Sequence, residues 1–162
     1  MPVKEDEFSG SVVTLASQWK LENGIGFLLR LLEAKYDALY QGLTKQTDIT
    51  PRQFGVLMAL LQEGPLTAAA LADRISCDRN TLSEMLKRMA ERKLISKKSH
   101  PDDRRSIQVQ ITIKGKNALL AVVPVAARLQ ELMLAPLSAD DRAHFLRCML
   151  AIAKSAPGNT KG

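Results

Sequence analysis

The sequence predicts a mainly α-helical protein with one small β-hairpin. Apolar residues recur at helical spacing through most of the 162 residues. At one place the period changes to the alternation typical of a strand, in Ile107-Gln108-Val109-Gln110-Ile111. The composition, with 46% hydrophobic and 25% charged residues, is that of a folded globular protein and excludes a disordered chain.

Length and cysteine content narrow the class of protein further. A chain of this size forms one ordinary domain or two very small ones and needs no disulfide or metal to fold. Cys77 and Cys148 form no CxxC pair, and the N-terminus has no secretory signal, so we expect a reduced, cytoplasmic protein. The longest apolar run, Ala118 to Ala127, is too short to span a membrane, so we expect no membrane partner.

The first three helices are predicted from their periods and caps. The stretch from Val12 to Tyr40 is helical in pattern, with a break at Asn23-Gly24. Thr50-Pro51-Arg52-Gln53 predicts the next helix start, because threonine caps, proline suits the first turn and glutamine can reach back to the cap amide. Thr67 is expected to cap a short third helix, Ala68 to Ile75.

The fourth predicted helix, Arg79 to Lys93, has the sharpest amphipathic pattern in the chain. Four apolar residues at i, i+3, i+4 and i+7 predict one buried stripe: Leu82, Met85, Leu86 and Met89. The opposite face carries short polar and cationic side chains: Arg79, Asn80, Thr81, Ser83, Lys87 and Arg88.

Two strands follow, Leu94 to Lys98 and Ile107 to Thr112, joined by a turn that carries Arg104 and Arg105. This segment belongs to a basic block, because residues 74–116 contain 12 Lys and Arg against five Asp and Glu. The formal charge of the whole chain is +6, so this block holds the entire excess. A compact basic patch is typical of a protein that binds a polyanion.

Two further helices complete the prediction. One runs from Lys114 to Leu134 and contains Pro124, where a helix must lose a hydrogen bond. The last begins after the cap Ser138 and ends before Pro157. Residues 1–10 and 155–162 are predicted to be disordered.

A helix, a short helix, an amphipathic helix and a basic hairpin occur in the order of a winged helix-turn-helix, which fits duplex DNA. The amphipathic helix can enter the major groove, the arginines of the hairpin can reach the minor groove, and hydroxyls at helix ends can contact phosphates. The candidate DNA-binding residues are Thr67, Ser76, Asp78, Arg79, Asn80, Thr81, Ser83, Lys87, Arg88, Arg104 and Arg105.

From about Thr50 to Gly115 the sequence resembles the MarR family of bacterial transcriptional regulators. The resemblance is carried by Pro51-Arg52-Gln53-Phe54-Gly55-Val56-Leu57, by Thr81-Leu82-Ser83 and the helix that follows, and by Pro101-Asp102-Asp103-Arg104-Arg105-Ser106. It implies a winged helix-turn-helix lobe at residues 50–113 and a helical dimerisation region at residues 11–49 and 114–154.

The resemblance further implies a homodimer that binds a pseudo-palindromic operator, usually as a repressor. Arg105 would enter the minor groove with Asp103 orienting it, while Arg104 would contact phosphate. The family also implies a small-molecule effector, for which we expect an aromatic carboxylate or its coenzyme A thioester. The candidate effector-binding residues are Trp19, Lys20, Phe27, Arg30 and Tyr36. The plainer interpretation of each is helix packing or a surface cation.

The sequence contains few motifs typical of enzymes, cofactor sites or metal sites. No phosphate-binding glycine loop, nucleophile elbow or metal-ligand spacing is present, so we expect neither an enzyme nor a cofactor or metal. Cys77, just before the amphipathic helix, is a candidate oxidant sensor or simply a packed thiol. A non-specific architectural DNA-binding module and a protein-docking module stay open as alternatives.

Overall fold

The computed structural model describes residues 10–44, 48–99 and 107–155. The chain divides into two compact units at the boundary between Gly42 and Leu43. It is mostly helical with one small antiparallel sheet, which confirms the predicted fold class. The predicted disordered ends lie outside the described residues, apart from Gly10 at the start of a helix and Ser155 at the end of one.

The first unit consists of helix α1 (Gly10–Gln18), a 3₁₀ turn (Leu21–Asn23) and helix α2 (Ile25–Leu43). The predicted break at Asn23-Gly24 is therefore confirmed, although the interruption begins earlier, after Gln18. The Gly24 N–H donates to Leu21 O at 2.9 Å and closes the turn. Gly24 is buried, and an added Cβ would lie 3.1 Å from the same carbonyl oxygen, so a side chain here would require the turn to shift by a few tenths of an ångström.

The second unit begins with helix α3 (Pro51–Glu63), whose predicted cap is confirmed. The Gln53 N–H donates to Thr50 Oγ1 at 3.3 Å, and the Thr50 N–H donates to Gln53 Oε1 at 3.2 Å. Helix α4 (Ala68–Arg74) is capped as predicted, because the Ala70 N–H donates to Thr67 Oγ1 at 3.2 Å.

Helix α5 (Arg79–Glu91) is two residues shorter than the sequence predicts, because Lys93 adopts φ 61° and leaves the helical conformation. The Leu94 N–H donates to Met89 O and the Lys93 N–H to Ala90 O, both at 2.9 Å. These two bonds form the Schellman turn that ends many helices. The carbonyls of the last turn are thereby satisfied while the chain enters the sheet.

The sheet has three strands, β1 (Leu66–Thr67), β2 (Ile95–Ser99) and β3 (Ile107–Ile111), in the order β1-β3-β2. Both pairings are antiparallel, with Leu66 opposite Val109 and Ile95 opposite Ile111. The predicted hairpin is confirmed, and β1 is an addition. A two-residue strand is too short to show a period in the sequence.

Helices α6 (Ile113–Leu134) and α7 (Ala139–Lys154) follow. Thr112 caps α6 rather than continuing the strand, since the Gly115 N–H donates to Thr112 Oγ1 at 3.0 Å. The helix is continuous through Pro124. Ser138 caps α7 as predicted, with the Asp141 N–H donating to its hydroxyl oxygen at 3.2 Å.

The core of the second unit is formed by α3, α4, α5, the sheet and one side of α6. Its largest fully buried side chains are Leu57, Leu60, Leu71, Leu82, Leu86, Met89, Leu94 and Leu119, with Val56, Val109 and Val122. Among the described residues, α6 alone is long and apolar enough to cross a membrane by length and composition. The sequence predicted no such segment because only uninterrupted apolar runs were considered, and charged residues interrupt the apolar sequence of α6. Leu119 and Val122 place α6 in the core of this unit.

Candidate nucleic-acid interface

Helix α5 presents one buried and one exposed face, as its pattern predicts. Leu82, Met85, Leu86 and Met89 are at most 5% exposed and fix the rotation of the helix about its axis. The burial of this stripe therefore also determines which face of α5 points away from the core. Most of the predicted DNA-contacting side chains of α5 are exposed: Arg79, Asn80, Ser83, Lys87 and Arg88.

Two predicted contacts at the start of α5 are engaged within the protein. Asp78 caps the helix, because its Oδ1 accepts the Thr81 N–H at 2.9 Å. This backbone hydrogen bond, followed by one from the Thr81 side chain, lowers the pKa of the Asp78 carboxyl. Thr81 itself is half-buried, which leaves it less of its surface for DNA than its exposed neighbours have.

The turn between α4 and α5 is held by Ser76, another predicted contact. Ser76 adopts φ 51°, and the Cys77 N–H donates to Ala72 O at 2.9 Å across it. The short reversal sets the angle between the two helices, while the exposed Ser76 side chain stays available to a phosphate. Thr67 uses its oxygen as a helix cap, which leaves the hydroxyl proton to donate elsewhere.

The strand that leads into the hairpin adds two cations. Lys97 and Lys98 are exposed on β2, which lies at one edge of the sheet. Neither is among the residues predicted from sequence, although both belong to the basic block and could have been included on that ground. The predicted hairpin contacts Arg104 and Arg105, together with Asp103, lie outside the described residues.

Two other cations of the basic block are used within the protein. Arg74 forms an ion pair with Glu63 between α4 and α3. Arg92 donates from Nη1 to Asp48 O at 2.7 Å and fastens the segment before α3. Charge counting assigned both residues to the polyanion-binding patch, but their guanidinium groups are oriented by these partners.

In the first unit, the structure brings some of the predicted effector residues together. An added Cβ on Gly24 would lie 3.6 Å from Trp19 Nε1 and 3.9 Å from Phe27 Cβ, so the two aromatic residues flank this glycine. Arg30 is exposed one turn after Phe27 on α2, and Lys20 is exposed beside Trp19. The structure therefore brings Trp19 and Phe27 together beside Gly24, and Lys20 and Arg30 are exposed cations on the adjoining segments.

Tyr36 is separate from this group. Nine residues along a helix correspond to about half a rotation, so Tyr36 and Phe27 lie on opposite faces of α2. The Tyr36 ring stacks on Tyr40, with centroids 6.2 Å apart and planes 13° from parallel. Burial, and then the nearby Asp37 carboxylate, raises the pKa of the Tyr36 phenol.

The second unit contains an open cavity of about 260 Å³ that the sequence did not predict. It lies where the end of α3 meets β3 and the start of α6, with Lys116 as its charged lining residue. The apolar walls include Leu60, Leu61 and Ile111.

The remaining predicted side chain of chemical interest is Cys77, which is half-buried. Cys148 is exposed on α7, with its Sγ 3.5 Å from His144 Nε2. Within residues 10–44, 48–99 and 107–155, no group of three metal-ligating side chains occurs.

Comparison with known proteins places this arrangement in a family. The profile of the MarR family matches residues 49–107. The chain is 31% identical over 122 residues to the transcriptional repressor NicR of Pseudomonas putida, which covers 75% of this chain and 77% of that protein.

Solved structures give the same result for the fold. The PcaV transcriptional regulator of Streptomyces coelicolor, solved with its natural ligand, superposes with a TM-score of 0.78 at 28% identity, covering 86% of this chain and 98% of that one. BpsR of Bordetella bronchiseptica, whose DNA binding is regulated by 6-hydroxynicotinic acid, superposes with a TM-score of 0.81 at 23% identity. That pair covers 85% of this chain and 99% of BpsR.

Proposed function

This chain belongs to the MarR family of transcriptional regulators, and on that premise we propose that it is a sequence-specific, DNA-binding repressor that acts as a homodimer without catalysis. The observation that supports the proposal most directly is α5. Its apolar stripe is buried, and its exposed face carries Arg79, Asn80, Ser83, Lys87 and Arg88 beside a lysine-bearing strand. This is the combination of base-edge and phosphate donors that a major groove requires.

Dimerisation is supported by helices whose apolar residues are left uncovered in the single chain. Neither α2 nor α7 contains a buried residue, although both helices carry large apolar side chains. Leu150 and Ile152 of α7 are 53% and 67% exposed, and α2 is rich in leucine. Large exposed apolar surfaces of this kind mark interaction sites. We assign residues 11–49 and 114–154 to the dimerisation region and residues 50–113 to the DNA-binding lobe. Sedimentation equilibrium should give about twice the 17.8 kDa chain mass.

A two-fold dimer would carry two copies of α5, so the operator should be a pseudo-palindrome with half-sites about one helical turn apart. The test is fluorescence anisotropy with the DNA upstream of the protein's own gene and a scrambled duplex, at roughly 150 mM salt. We expect a preference of about 10³-fold or more for the native fragment.

Lys87→Ala should weaken binding to both duplexes and flatten the dependence on salt, because the lysine contacts phosphate. Arg128→Ala is the matched control, since Arg128 is a cation outside the basic block that pairs with Glu131 on α6. Equal affinity for the two duplexes would favour an architectural DNA-binding module. No affinity for either would favour a docking module and reject the proposal.

We further propose that an aromatic carboxylate, or its coenzyme A thioester, releases the DNA by binding near the start of α2. Trp19 and Phe27 would supply the apolar wall, with Arg30 or Lys20 facing the carboxylate. Tyr36 lies on the other face of the helix and would contribute only to a separate wall.

Trp19 is the one tryptophan of the chain, so its fluorescence reports directly on this site. A panel of aromatic acids, including 6-hydroxynicotinic acid, should contain compounds that quench it and abolish DNA binding at the same concentrations. Arg30→Ala should weaken both effects, whereas Lys35→Ala, which removes an exposed cation further along α2, should not. Release of DNA that is insensitive to Arg30→Ala would move the effector elsewhere, with the cavity beside Lys116 as the next candidate.

A further inference from the structure

Glu84 occupies an unusual position for an acidic residue in a basic surface. With 3.6 residues per turn, the side chains that point within about 30° of the direction opposite the buried stripe of α5 are Asn80, Glu84, Lys87 and Glu91. Glu84 is exposed and lies one turn after Asn80, at the middle of this face. Any DNA that α5 contacts therefore meets a carboxylate at the centre of the contact.

A purely stabilising role for Glu84 would require a partner on the helix. Lys87 and Arg88 are three and four residues later, the spacings at which opposite charges pair on a helix. In the part of the chain that the structure describes, the ion pairs are Arg74 with Glu63 and Arg128 with Glu131, and Glu84 takes part in neither these nor a side-chain hydrogen bond. Its carboxylate is left free at the surface.

A free carboxylate in a major groove is repelled by the phosphates unless a base edge donates to it. The donors available there are the amino groups of cytosine and adenine. The adenine amino group lies between two acceptors, its own N7 and the O4 of the paired thymine, whereas the cytosine N4 amino group has an acceptor, the O6 of the paired guanine, on one side only, which leaves its other side open to a carboxylate. Glu84 therefore favours one base and penalises the others, which is how a binding site gains specificity.

We propose that Glu84 is a specificity-determining residue that accepts a hydrogen bond from cytosine N4 at one position in each half-site. This inference rests on the proposed function, because it requires that α5 enters the major groove. It extends that function by naming the residue that selects a base, the base that it selects, and the repulsion by which it disfavours the others. The cations of the basic block do not predict this selectivity.

The experiment is selection of bound duplexes from a randomised library, followed by sequencing, with the full-length protein at roughly 150 mM salt. The wild-type protein should enrich a C·G pair at one symmetry-related position in both half-sites. Glu84→Ala should lose that preference by about 5- to 10-fold and keep the rest of the motif, a change within the range for a single mismatched pair. Glu84→Gln should shift the same position towards adenine, because glutamine both donates to N7 and accepts from N6.

Glu91→Gln is the matched control. Glu91 is exposed and on the same face, but seven residues or about 10 Å further along, in the last turn of α5. Recognition helices contact base edges mainly through their N-terminal residues, so this variant should keep the wild-type motif. A motif that survives both Glu84 variants, or that changes equally with Glu91→Gln, would overturn the inference and leave the proposed function standing. A wild-type protein that enriches no motif would overturn both.

Discussion

Gly115→Ala tests the contact between α6 and the end of α5 most directly. Gly115 lies in the first turn of α6, directly against Leu94, where the chain enters β2. An added Cβ would lie well inside contact distance of Leu94 O and only 3.0 Å from Ile111 Cγ1. The obstacle is a backbone atom of a fully buried residue, so it has little freedom to move aside.

The magnitude follows from what must shift. Leu94 O accepts the Thr112 N–H at 3.1 Å, and the Thr112 hydroxyl donates to Lys93 O at 2.7 Å with Leu94 O as a second, longer acceptor at 3.1 Å, so moving α6 away weakens two hydrogen bonds worth about 0.5–1.5 kcal/mol each. Overpacking against Ile111 adds about 1–3 kcal/mol, and the better helix propensity of alanine returns about 1 kcal/mol. We therefore expect a net loss of about 3 kcal/mol in the free energy of unfolding.

Urea unfolding followed by far-UV circular dichroism measures this difference, at one protein concentration because the stability of the proposed dimer would depend on concentration. Gly55→Ala is the control, since Gly55 lies inside α3 and its added Cβ would be 3.7 Å from Ile75 Cγ2, an ordinary contact. We expect it to stabilise the protein by about 0.5–1 kcal/mol. A Gly115→Ala protein as stable as the wild type would refute the close approach of α6 to Leu94.

Three further outcomes are expected. Because the pKa of Asp78 is lowered below its ordinary 3.8, the ionised carboxyl stabilises the folded protein fully above pH 3.8, and this stabilisation is lost as the pH falls through the lowered pKa. The melting temperature of Asp78→Asn should therefore fall less than that of the wild type between about pH 5 and pH 3. Equal falls would contradict the role of the Thr81 N–H. Because burial raises the pKa of Tyr36, Tyr36→Phe should remove the spectrophotometric component that titrates above the ordinary phenol range; if that component persists, burial of Tyr36 is not its cause. Lys93→Gly should raise stability by about 1 kcal/mol in urea unfolding, because glycine adopts φ 61° without strain, and a loss would reject that reason.

The order of helices and strands in the second unit could be predicted because its determinants are local. Thr50, Thr67 and Ser138 each provide a side-chain oxygen to a backbone amide three residues later, and sequence spacing alone specifies that geometry. The buried stripe of α5 was equally readable, since four apolar residues at helical spacing define a face without reference to the rest of the fold.

The features that escaped prediction depend on contacts between distant segments. Strand β1 exists because Leu66 pairs with Val109, more than 40 residues later, and not because of its own pattern. The first turn of α6 needs Gly115 because of Leu94, although a glycine in a helix reads as a weak point in the sequence. The end of α5 could not be predicted either, because it depends on a positive φ at Lys93, and lysine has no preference for that conformation.

The candidate site shows the same division. The exposed face of α5 follows from its period, but the period alone does not tell that Asp78 is committed to capping or that Arg92 is held by Asp48. The separation of Phe27 from Tyr36 was available in principle, because nine residues on one helix correspond to half a rotation. Applying this helix geometry to the sequence would have removed Tyr36 from the predicted effector-binding group on the face of α2 that carries Phe27.

Leu94 is where the mechanical requirements of the regulator meet. Its N–H closes the turn that ends α5, and its carbonyl accepts the N–H of Thr112, the residue that caps α6 and whose hydroxyl donates to the adjacent Lys93 O at 2.7 Å. A helix assigned to dimerisation and a helix assigned to DNA recognition therefore meet at this buried residue, and side chains of both belong to the same core. Because packed interiors resist local deformation, a displacement of α6 is passed to α5 rather than absorbed between them. In the proposed dimer, an effector that changes the position of α6 would then change the separation of the two recognition helices.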